Sequence, residues 1–162
     1  MKKILDRIME YLTATLMAVM VIVASWQVFT RFVLDDPSTI SEEMLRYSLI
    51  WLTMVGSALA YSKKKHVAIV FVTRKFSGKM YYVVNIAVEI IVILFSVFIL
   101  LFGGINALQN AVGQVSSAMQ MPMEYLYLSL SVGGILFILY AIFHIIDHVK
   151  SMRNEMGAET GN

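Results

Sequence analysis

Long apolar runs divided by short polar intervals organise this chain. Residues 11–30 carry no charge, and twenty helical residues rise roughly 30 Å, the thickness of a bilayer's hydrocarbon layer. A second run extends from Ser41 to Ser62, but only its 47–62 part is free of charge. Glu42, Glu43 and Arg46 are therefore expected at its outer end, among headgroups or against protein. A third run begins near Tyr81 and meets a single charge, Glu89, before Glu124. The stretch 90–123 is too long for one crossing, and Asn106, Gln109, Asn110, Gln114 and Ser117 mark where polarity returns. The fourth run occupies about 125–146, between Glu124 and Asp147. These runs are continuous rather than alternating with period two, which excludes barrel strands. Lipid offers backbone groups no water, so the runs must be helices that satisfy their own N–H and C=O groups. The pattern predicts an all-α membrane protein with four transmembrane helices. They form one domain over 1–153, with spans near 8–33, 41–62, 80–105 and 123–147 and a flexible tail over 154–162.

Composition sharpens this picture. Of 162 residues, 59% are apolar and 15% charged, where a soluble domain carries about a quarter charged. With no cysteine there is neither a disulfide framework nor a thiolate metal site. Eleven of the thirteen cations fall at the amino end (Lys2, Lys3, Arg7), in the 63–79 loop (Lys63, Lys64, Lys65, Arg74, Lys75, Lys79) and in the tail (Lys150, Arg153). Arg31 and Arg46 remain on the other side, with Asp35, Asp36, Glu42, Glu43 and Glu124. Short cytoplasmic loops hold the excess of Lys and Arg, so both termini are expected in the cytoplasm. The start MKKILDR looks like a secretory n-region, but the apolar segment is long and no small-x-small cleavage pattern precedes Arg31, so a retained helix is expected. The apolar residues Val67, Ile69, Val70, Phe71, Val72 and Phe76 beside Arg74 and Lys75 suit a short interfacial helix in the 63–79 loop.

Candidate functional residues gather between Arg31 and His66. Ser38, Thr39 or Ser41 can cap the second helix, and Glu42 and Glu43 favour the positive end of its dipole. Arg46 lies one turn from both acids, and Arg31 approaches across a short turn. This set reads either as an ordinary cap with interfacial charges or as a network fixing helices or subunits together. Trp51 falls inside a span, where its indole N–H needs a protein partner, and Gly56 permits close helix approach. Glu89 lies on the order of 12 Å into its span, a depth at which an ionisable group is a functional candidate. Against ion translocation stands the plainer reading, a protonated or hydrogen-bonded carboxyl facing a neighbouring helix or a partner. His144 and His148 have metal-binding spacing, yet at a helix end beside Asp147 and Lys150 they read as a solvated face. Met119, Met121 and Met123 read as adaptable packing.

The run FTRFVLDDPSTISEEMLRYSLIWLTMVGSALAYSKKKHV, residues 29–67, resembles the small membrane subunit of tripartite ATP-independent periplasmic (TRAP) transporters, the DctQ-like family. Arg31, Glu43 with Arg46, Trp51, Gly56 and His66 carry the likeness, although Lys63-Lys64-Lys65 stands where the family often has Gly or Arg before the His. The resemblance implies a non-catalytic small permease subunit in the bacterial inner membrane, part of a sodium-coupled, binding-protein-dependent symporter for an organic acid. It implies two partners, a large multi-pass subunit carrying the substrate and sodium sites and a periplasmic substrate-binding protein. No cofactor is expected in this chain, and no nucleic acid among its partners.

Two other classes compete. A self-sufficient four-helix exchanger would place its membrane carboxylate in the first helix, where this chain has none. An electron carrier or enzyme would need paired deep histidines, cysteines or a nucleophile–base pair. The uneven cations give a direct test of topology. A reporter fused at Lys64 or at the carboxyl end should be active only in its cytoplasmic form, and one within residues 35–38 only in its periplasmic form. A periplasmic carboxyl terminus would mean an odd number of crossings.

Overall fold

The computed structural model describes residues 2–63 and 79–159, with side chains for 2–63 and 80–153. His66 and the expected interfacial helix lie outside the described residues. Among those described, the chain is helical with no strand beyond one isolated bridge, Val115 to Pro122. Helix α1 spans Lys2–Phe32 and α2 Thr39–Ser62. Helix α3 (Lys79–Phe95) continues through a π-helical stretch, Ser96–Phe102, into α4 (Gly103–Asn110), and the three make one rod. Helix α5 runs from Glu124 to Glu159, into the stretch expected as a frayed tail.

The turn from α1 to α2 is built locally. Asp35 takes a left-handed conformation (φ 52°), one that short polar side chains tolerate. Asp36 N–H then bonds back to the Thr30 carbonyl at 3.2 Å. Ser38 caps α2, its Oγ accepting from Ser41 N–H at 3.3 Å, with Glu42 in the first turn near the positive helix end. The chain reverses tightly, and α2 returns along α1.

Helix α1 packs on α2, α2 on α5, and α5 along the whole rod. Burial follows that order, since 39% of α5's most apolar stretch is buried and none of α1's. The core centres on Ala58, Tyr61, Leu136, Tyr140 and Ala141, with Leu5, Met9, Val92, Ile93 and Phe137 packed around it. Among the described residues, three helices are long and apolar enough to cross a membrane: α1, the rod from Met80 to Asn110, and α5 up to Arg153. Helix α2 falls short of that apolarity for a physical reason. It lies between α1 and α5 and buries Ser41, Tyr47, Tyr61 and Ser62 against protein, so less of it needs to suit lipid.

Gly56, expected to bring helices close, leaves ordinary room: a Cβ there would lie 3.8 Å from Thr13 Cγ2. The closest approaches are between the rod and α5 instead. A Cβ on Gly104 would meet Ser131 Oγ at 2.7 Å and its backbone N at 3.1 Å, and one on Gly134 would meet Leu100 Cβ at 2.9 Å. Gly103, by contrast, has nothing within 4 Å. These neighbours therefore separate propensity from packing. Gly103→Ala should stabilise by up to about 1 kcal/mol through helix propensity. Gly104→Ala should destabilise by about 1–3 kcal/mol through overpacking. Thermal unfolding of the two variants in detergent checks both signs.

Candidate functional site

Polar side chains collect at the two ends of the helices. At the acidic end, the residues singled out from sequence divide into separate interactions. Arg46 and Glu42 form an i,i+4 pair at 3.5 Å with both side chains 65% exposed. Glu43 turns away from Arg46. Its Oε2 accepts the backbone N–H groups of Met119 at 2.7 Å and Ala118 at 3.0 Å. Arg31 stands over its neighbour Phe32, 5.8 Å from the ring centroid, and joins no ion pair among the described residues.

Glu43 thus clamps the loop between the rod and α5. That loop folds on itself, with Ser116 N–H bonded to the Met121 carbonyl at 2.9 Å and Met123 N–H to the Gln114 carbonyl at 3.0 Å. Two left-handed residues, Gly113 (φ 80°) and Gln120 (φ 52°), shape it. Its tip is where amide hydrogens lack carbonyl partners, and a carboxylate is a strong acceptor for them. Trp51 ties the same region to α5 by donating from Nε1 to the Tyr125 carbonyl at 3.1 Å. Beside it opens a groove of about 230 Å³, lined by Leu16, Met44, Tyr47, Trp51, Met119 and Met121 among others.

The opposite, basic end holds two histidines whose surroundings differ from the sequence expectation. His144 and His148, expected on a solvated face, are 1% and 6% exposed. The helix end is solvated on the side of Asp147 and Lys150, but these histidines point inward at one-turn spacing. Glu89, 4% exposed, meets His144 Nδ1 through Oε1 at 3.1 Å and receives the Tyr61 hydroxyl on Oε2. His144 Nε2 lies 3.1 Å from the Ser62 carbonyl. Ser62 Oγ donates to Asp6, and Lys63 pairs with Glu10, which extends the junction to α1. All four membrane-length or near-membrane-length elements meet here. A single acid inside the third run and the His144/His148 pair at one-turn spacing near the end of the fourth were the available signal.

Among the described residues, this geometry is a set of interhelical hydrogen bonds and ion pairs. A family model described as the DctQ component of tripartite ATP-independent periplasmic transporters matches residues 20–151. The chain belongs to the DctQ family. It is 31% identical over 150 residues to the sialic acid TRAP transporter small permease protein SiaQ of Vibrio cholerae, covering 93% of this chain and 86% of that one. It is 30% identical over 71 residues, 44% of each chain, to a Haemophilus influenzae protein named as a TRAP transporter small permease. A 25% identical match over 134 residues covers 83% of this chain but 22% of the sialic acid TRAP transporter permease protein SiaT of H. influenzae. This DctQ protein is a transporter subunit rather than an enzyme.

The two acidic-end interactions differ in what they should do when removed. The exposed Arg46–Glu42 pair is worth about 0–1 kcal/mol, so Arg46→Ala should leave the isolated chain's stability nearly unchanged. Glu43→Ala strips two part-buried amides of their shared acceptor. Hydrogen exchange at Ala118 and Met119 should accelerate in Glu43→Ala and stay at the wild-type rate in Arg46→Ala.

Proposed function

We propose that this DctQ subunit is the non-catalytic scaffold of a sodium-coupled, binding-protein-dependent transporter in the bacterial inner membrane. In this reading it crosses the membrane four times with both termini in the cytoplasm. The substrate and sodium sites belong to a large multi-pass subunit, and a periplasmic binding protein delivers an organic acid. The observation that carries the reading is the family match over 20–151.

Several features support its parts. Helix α2 runs back beside α1 from the 33–38 turn to the Ser62–Asp6 and Lys63–Glu10 contacts. If α1 crosses the bilayer, α2 must cross it in return. Within a longer permease, SiaT, 22% of the length resembles this chain, as expected if such a segment works beside a larger transport domain. The Vibrio relative is named for sialic acid, a carboxylated sugar, and an organic acid is the matching class here. The described helices are continuous apart from one widened turn. They lack the unwound mid-span segments from which transporters build ion sites.

Reconstitution tests the reading. The chain alone in proteoliposomes should give no sodium-driven uptake of sialic acid or other organic acids. Uptake should appear when its large subunit and binding protein are added. Uptake by the chain alone would replace the scaffold with a self-sufficient exchanger.

A further inference from the structure

The hydrogen-bond inventory at the basic end is unusual because both nitrogens of one imidazole face oxygens. His144 Nδ1 lies 3.1 Å from Glu89 Oε1, and Nε2 lies 3.1 Å from the Ser62 carbonyl. A carbonyl only accepts, so Nε2 must carry a hydrogen. The other contact also needs one. It sits either on Nδ1, giving an imidazolium against a carboxylate, or on Glu89, giving a carboxyl that donates to a bare Nδ1. The two forms differ in where the proton rests, not in how many the pair holds. With one proton fewer, a single ring hydrogen serves two oxygens. Whichever nitrogen is then bare sets its lone pair against an oxygen lone pair, in a site closed to water. Tyr61 already bonds the other Glu89 oxygen.

We propose that Glu89, His144 and the Ser62 carbonyl form a latch that binds one proton and ties α2, α3 and α5 together only while it is held. The placement gives the latch mechanical reach. Ser62 is the last residue of α2, where helix carbonyls lack partners within the helix. His144 therefore caps α2 from α5, and Glu89 adds α3 to the same knot. Releasing the proton to solvent opens either the α5–α2 contact or the α5–α3 contact. The end of α2 from which the basic loop departs is then freed from one neighbour. This inference rests on the chain's own geometry and holds whatever the transported substrate.

Other titratable groups surround the latch. Asp6 and Glu10 face it from α1, Tyr61 and Lys63 from α2, Tyr81 and Tyr82 from α3, and Tyr140 and His148 from α5. Asp147 and Lys150 point outward. A bare pH profile would mix all of these, so the test is a difference. In Glu89→Gln the amide N–H can donate to His144 Nδ1 and the amide oxygen can accept from Tyr61. The variant thus reproduces the protonated pattern with no proton to lose. Full-length wild type, Glu89→Gln and Glu89→Ala are unfolded thermally in detergent from neutral to alkaline pH.

The wild type should lose several degrees more of apparent melting temperature than Glu89→Gln over that range, and Glu89→Ala should lie below both at neutral pH. Coincident wild-type and Glu89→Gln profiles would overturn the latch. Should Glu89→Gln fail to fold, ¹⁵N-histidine spectra of the wild type at neutral pH decide. A protonated Nε2 on His144, with Nδ1 either protonated or accepting, upholds the proposal. An Nδ1–H tautomer with a bare Nε2, or an Nε2–H tautomer whose Nδ1 neither carries nor accepts a hydrogen, refutes it.

Discussion

A carboxyl withdrawn from water must find hydrogen-bond partners, and those of Glu89 come from two other helices. Tyr61 belongs to α2 and His144 to α5. Meeting that one requirement fixes the rotation of three helices about their axes and their relative height at the basic end. The apolar core immediately adjacent, around Ala58, Tyr61 and Tyr140, is built on the same residues or their one-turn neighbours. Apolar packing alone would tolerate sliding, since the lipid outside is as apolar as the interior. The directional contacts do not.

At the other end the constraint takes a different form. There the loop between the rod and α5 leaves amides at its tip without carbonyl partners, and Glu43 of α2 supplies the acceptor. Between the two ends, the rod and α5 are held by close approach at Gly104 and Gly134. Helix α1 packs along α2, with Thr30 its one buried residue and much of its apolar surface left facing outward. Such a division leaves the rod and α5 to bury part of their apolar stretches and α1 to present the largest outward apolar face.

Much of the helical layout was legible in sequence because charges are scarce and expensive within lipid. Gaps between them therefore outline the helices almost directly. The return of polarity at Asn106–Asn110 likewise marked the end of the rod and the start of the loop. What remained hidden depends on distance along the chain. Glu43 and Arg46 look like partners at i,i+3, yet Glu43 is engaged 75 residues away by an amide, a donor every residue carries and no pattern distinguishes. The inward turn of His144 was equally hidden, since Asp147 and Lys150 gave its helix end a solvated look. Gly56 stood out within the familiar α2 motif, while Gly104, set in a less conspicuous stretch, makes the tighter contact.

The widened turn at Ser96–Phe102 bears on how chains of this kind are aligned. Adding one residue to an α-helix rotates everything beyond it by about 100°, but a π-helical turn absorbs the extra residue locally. Glu89 on one side of the turn and Gly104 on the other can then address the same neighbour, α5, with one residue more between them than an unbroken helix would use. A relative with an ordinary α-helix at this place would be one residue shorter and still present both faces correctly. In that setting a single-residue gap inside a membrane span signals preserved packing rather than divergence.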